Sequence, residues 1–81
     1  MSLSFRDFRG AGAMTITPSD TTVFAAPVWR IYVGVTGNVK VDTPIASGVV
    51  YNAVPAGTYI YPNATKVYAT NTTASDLVGE T

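Results

Sequence analysis

Residues 28–35 read Val-Trp-Arg-Ile-Tyr-Val-Gly-Val, and this octet constrains the fold more than any other stretch. Trp29, Ile31, Val33 and Val35 fall on one side of an extended chain, while Arg30, Tyr32 and Gly34 fall on the other. A period of two is the mark of a strand with one face buried, because successive side chains of an extended backbone point to opposite faces. Trp29 is therefore expected in the core. Val39-Lys40-Val41-Asp42 alternates in the same way. Gly37-Asn38 between the two runs tolerates positive φ, so residues 28–42 are predicted to form a β-hairpin.

The remaining chain repeats the theme. Thr17-Pro18-Ser19-Asp20 is a turn-type cluster ahead of a short strand over 21–26, which Pro27 ends. Further strands are expected at Gly48–Asn52, Thr58–Tyr61 and Lys66–Thr70, with a short closing strand at Leu77-Val78. The loop over 43–47 opens with Pro44, Val54-Pro55-Ala56-Gly57 is a tight turn, and Pro62-Asn63 begins another. Turns about every ten residues indicate an all-β chain, a small antiparallel β-sandwich or barrel of about six to seven short strands. The skew toward Val, Thr and Tyr supports this, and no helix of useful length is expected. Residues 1–13 show no steady period and read as a flexible N-terminal arm, leaving 14–81 as a single domain.

Size then bears on association. A folded part of about 65 residues buries only about 60% of the surface of its unfolded chain and is marginal alone. The chain has no cysteine, so disulfides cannot reinforce it, and no metal cluster is visible. Oligomerisation is the remaining source of stability. Formal net charge is zero, with no charged residue from Thr43 to Thr65. A surface that bare favours association, and residues 43–65 are expected at subunit contacts.

The same composition excludes much chemistry. With no His and no Cys, the commonest general base, metal ligand and thiol nucleophile are missing. Asp7, Asp20, Asp42, Asp76 and Glu80 stand apart in sequence, beside turn or strand-end residues where carboxylates cap and solvate. An enzyme is not expected, nor a cofactor. From Met14 onward three basic residues face four acidic ones, too few to neutralise a row of phosphates, so nucleic acid is not an expected partner. No apolar run approaches the roughly 20 residues that span a bilayer, and no signal-peptide stretch opens the chain, so no membrane partner is expected.

Aromatic residues are the remaining functional set. Tyr32, Tyr51, Tyr59, Tyr61 and Tyr68 fall on predicted strands, and Phe5 and Phe8 lie in the arm. Tyrosine suits interfaces because its ring is apolar and its tip polar. All seven are interface candidates. One alternative is a carbohydrate- or protein-binding β module that uses exposed tyrosines.

An ordered set of segments carries a family resemblance. It runs through Thr17-Pro18-Ser19-Asp20, Arg30-Ile31-Tyr32-Val33-Gly34-Val35-Thr36-Gly37-Asn38-Val39, Asn52-Ala53-Val54-Pro55-Ala56-Gly57, and the stretch from Val67 to Val78. Together these resemble the small spike-base proteins of gene transfer agent heads and related phage structural proteins. The long start before Met14 and the ending Gly79-Glu80-Thr81 depart from that pattern. The resemblance implies a non-enzymatic virion protein of tailed-phage type, made in the cytoplasm of a bacterial host. It implies a capsid-attached spike or fibre base, or a head decoration protein, with the capsid protein and a spike or fibre protein as partners. In the gene transfer agent case it also implies a homo-oligomeric ring at the five-fold vertices.

Overall fold

The computed structural model describes residues 12–81. Of the arm expected over 1–13, residues 1–11 lie outside the described residues, and Ala13 already belongs to the first strand. Among the described residues seven strands follow in chain order: β1 (Ala13–Thr15), β2 (Arg30–Val35), β3 (Gly37–Thr43), β4 (Ala46–Val54), β5 (Thr58–Ile60), β6 (Lys66–Val67) and β7 (Ser75–Glu80). They form two antiparallel sheets, ordered β1-β7-β2-β5 and β4-β3-β6, and the described residues contain no helix.

The alternation in the sequence works as expected on the inner faces. Ile31 and Val33 from β2, Val39 and Val41 from β3, Val67 from β6 and Leu77 from β7 are all at most 2% exposed, and Val28 joins them. These small branched side chains pack as one cluster with Ile16, Val54, Ile60, Ala64 and Ala74. Val35 departs from the pattern, being exposed at the strand end. Trp29 departs too. It lies half-buried just before β2 instead of in the core, its ring 6.1 Å from that of Tyr61.

The hairpin expected over 28–42 does not form. β2 pairs with β5 and β7, whereas β3 pairs with β4 and β6, and Thr36 carries the chain from one sheet to the other. Alternation tells which side of a strand is buried but not which neighbour it bonds. Two consecutive half-buried strands satisfy it equally by facing each other across a core. Gly37 is not among the positive-φ glycines, so the conformation that favours a two-residue hairpin turn is absent. What Gly37 provides is space: a Cβ there would sit 2.4 Å from the backbone nitrogen of Ala74.

Other boundaries moved for local reasons. Thr43 and Ala46 pair across Pro44-Ile45, so β4 starts earlier than expected and runs to Val54. The turn after it is as predicted, with Gly57 at φ +81°. Residues 21–26 are not a strand. The chain over 19–24 instead lies along β6, with Ser19 N–H donating to Val67 O and Phe24 N–H to Thr65 O. The closing strand is six residues long and lies inside its sheet, between β1 and β2.

Leu77→Ala is expected to lower unfolding free energy by about 2–5 kcal/mol, since a buried leucine leaves a cavity. Trp29→Ala, removing a half-buried ring, is expected to cost only about 1–2 kcal/mol. Urea unfolding of both variants checks the order; a larger loss for Trp29→Ala would put that ring back in the core.

Candidate functional site

The outer face of the four-stranded sheet gathers aromatics. Tyr32 on β2 stands opposite Tyr59 on β5, their rings 5.5 Å apart and edge to face. Tyr59 lies 6.4 Å from Tyr61, and Tyr61 approaches Trp29. Arg30 joins the row, its guanidinium carbon 4.2 Å from the centre of the Tyr59 ring and 4.9 Å from that of Trp29. Glu80, paired with Arg30 across β7, holds the guanidinium from the far side: Nε and Nη2 each lie 2.9 Å from its Oε1. The hydrogen bond to Glu80 is the main reason the Arg30 pKa is raised. The result is a row of rings, braced along its length by the Arg30–Glu80 ion pair, with Tyr59 and Tyr61 exposed. It offers apolar ring faces with hydroxyl tips, suited to contact with another surface.

The three-stranded sheet presents a polar outer face. Asp42 on β3 is its centre. Tyr68 Oη donates to Asp42 Oδ1 at 2.7 Å, the Gly48 N–H donates to the same oxygen at 2.8 Å, and Lys66 Nζ lies 3.4 Å from Oδ2. Lys40 and Lys66 place their ammonium groups 4.5 and 4.4 Å from the centre of the Tyr68 ring. The Tyr68 hydrogen bond, and next that of Gly48, hold the Asp42 carboxyl below its usual range, and the same contact with Asp42 raises the phenol of Tyr68. Tyr68 is thus tied to its own sheet by both hydroxyl and ring.

Asp20 does similar work at a loop. Its Oδ1 accepts from the N–H groups of Ala69 and Thr70 at 2.9 Å, and its Oδ2 accepts from Thr70 Oγ1 at 2.6 Å. The Thr70 side chain is the main cause of its lowered pKa. Among the described residues, no three His, Cys, Asp or Glu side chains lie close enough to hold a metal ion.

A third feature joins the two sheets at one end. Thr43, Pro44, Ile45, Ala46, Val49 and Tyr51 face Tyr61, Pro62 and Asn63 across an open, uncharged cleft of roughly 380 Å³. Ile45, at the tip of the β3–β4 turn, is 96% exposed.

The interface candidates therefore separate. Tyr32, Tyr59 and Tyr61 come together, Tyr51 lines the cleft and packs against the core, and Tyr68 lies on the opposite sheet. Phe5 and Phe8 lie outside the described residues. Sequence reasoning missed Arg30 with Glu80, which chain distance hides, and Ile45, whose signal was a large apolar residue after a turn proline.

Comparison with solved structures adds to this geometry. A chain in the capsid of a native gene transfer agent particle, computed with C5 symmetry, superposes with a TM-score of 0.77. It is 29% identical, and the match covers 89% of this chain and 83% of that one. The fold is similar to that of a virion capsid component. No family model matches the sequence, and no curated protein does.

Asp20 and Asp42 both have lowered pKa values when folded, so the unfolded chain binds protons more readily than the native one. Their contribution to stability is complete above the ordinary carboxylate range and is lost as pH falls through it toward the folded values, roughly from pH 5 downward. Melting temperature measured against pH is expected to drop over that window, and less steeply in Asp42→Asn. An unchanged slope would show that Asp42 does not couple folding to protons.

Proposed function

We propose that this chain is a non-enzymatic virion structural protein of tailed-phage type, attached to the capsid as a spike or fibre base or as a head decoration protein, and self-associating. The observation that carries the reading is the likeness to the gene transfer agent capsid chain, because it extends over most of both chains. The chemistry of the surfaces supports it. Asp20, Asp42 and Glu80 are each engaged in hydrogen bonds or ion pairs that hold the fold, and the exposed rings of Tyr59 and Tyr61 with the uncharged cleft are suited to contact with protein.

On this reading the aromatic row meets the capsid or the spike, and the uncharged residues 43–65 meet neighbouring copies. The protein is synthesised in the bacterial cytoplasm and ends in the particle. The match to a structure computed with C5 symmetry favours a ring at five-fold vertices as the arrangement. A carbohydrate-binding role is the second reading, favoured by the Trp29, Tyr61, Tyr59 and Tyr32 row; saturable binding on a glycan array would select it.

The test is attachment to particles. Tagged protein expressed with its head genes is expected to co-purify with intact particles through a density gradient and to appear on their surface by immunogold labelling. Tyr32→Asp and Tyr59→Asp are expected to reduce the particle-bound fraction at least about tenfold, because a buried unpaired charge costs more than one factor of ten in binding, while circular dichroism stays unchanged. Absence of the unmodified protein from purified particles would remove the reading.

A further inference from the structure

Among the described residues each sheet has two edges, and an edge strand carries backbone N–H and C=O groups able to pair with another chain. In the four-stranded sheet both edges, β1 and β5, are only three residues long. In the three-stranded sheet, the two-residue edge β6 is covered by the segment containing Ser19 and Phe24. The other edge is β4, at nine residues the longest of the described strands. Its sequence, Ala-Ser-Gly-Val-Val-Tyr-Asn-Ala-Val, contains no charge and no proline, the usual guards of an exposed edge.

The hydrogen bonds show which groups of β4 are free to pair outward. Lys40 N–H donates to Thr72 Oγ1, and Lys40 C=O accepts from Tyr68 N–H, so both Lys40 groups point toward the β6 side of β3. Val50 stands opposite Lys40. In an antiparallel pair the residues alternate between bonded and non-bonded positions, so the N–H and C=O of Val50 point away from β3, toward the open edge. Asn52 follows at the same parity. The run is bounded on both sides. Gly48 at φ +67° turns its N–H inward to Asp42, and Ala53 at φ +53° turns its own inward to Asn38. These two irregularities limit outward pairing to residues 49–52. They thereby set a register, which open-ended sticking would not have.

We infer that the free edge of β4, together with the adjoining cleft and the Ile45 tip, receives an extended segment of a second copy of this chain. The occupant follows from charge and stability. The edge and the cleft belong to the span from Thr43 to Thr65 that carries no charge, so a strongly acidic or basic partner would find nothing to match, whereas a second copy has zero formal net charge. A domain this small, without disulfides, gains stability from pairing with itself. Four paired residues plus the cleft lip make a contact at the small end of specific interfaces, so weak, concentration-dependent association is expected. In a ring of like copies the inserted segment comes from a different part of the neighbour than β4 itself. The inference rests on the self-association in the proposed function and gives it a location.

Sedimentation velocity of the full chain, from about 1 to 500 μM, tests it over a range in which weak association becomes visible. The parent is expected to associate with rising concentration. Val50→Pro removes the outward donor, and Ile45→Lys places a charge on a side chain too exposed to affect folding; both are expected to weaken association at least about tenfold. Val50→Thr, which keeps the donor, is expected to associate like the parent. Unaltered association of Ile45→Lys and of a folded Val50→Pro would overturn the edge contact while leaving self-association standing. A parent that stays monomeric throughout would overturn both, and particle attachment would still be decided by the gradient experiment.

Discussion

β2 and β3 follow each other with only Thr36 between them, yet they face across the core and share no hydrogen bonds. The rest of the architecture follows from that crossing. Ile31 and Val33 are placed against Val39 and Val41, so two half-buried strands become opposite walls of one core. Each strand must then find its backbone partners elsewhere: β2 takes β5 and β7, and β3 takes β4 and β6. The crossing requires a tight passage, and Gly37 supplies it where the backbone of Ala74 passes closest.

The fold class was legible because it depends on local patterning. Period-two runs at 30–35 and 39–42 specify buried faces, and the prolines and glycines at 44, 55, 57 and 62 punctuate them. Pairing was not legible, because it depends on contacts distant in the chain. Nothing local to Thr36-Gly37-Asn38 distinguishes a hairpin from a change of sheet. Leu77-Val78 looked like a short final strand because its neighbours Ser75, Asp76, Gly79 and Glu80 are poor strand formers. Gly79 is selected by close packing instead, since a Cβ there would lie 2.8 Å from Ile16 and Val28 side-chain carbons. Of the surface, the tyrosines were visible as a set, but their division between two sheets was not. Tyr68 belongs with Asp42 and Lys66, and only the β3–β6 register brings them together.

The two outer faces thus divide the work. The polar one is internally satisfied: Asp42, Tyr68, Lys40 and Lys66 bond chiefly to one another and to their own backbone. The aromatic one spends fewer of its groups internally, leaving Tyr59 and Tyr61 open, and it adjoins the uncharged cleft through Tyr61. Surface available for contact therefore runs continuously around one end of the molecule, from the ring row to the tip of the β3–β4 turn.

The seating of β7 has a consequence for the order of folding. Ala13 registers with Glu80, and Thr81 N–H donates to Gly12 C=O, so the first described strand has its partner only at the last residues of the chain. During synthesis β1 and β2 are both made before β7, and each lacks that neighbour until residues 75–80 have emerged. Completing this sheet is a long-range step, slower by topology than the local pairing of β3 with β4.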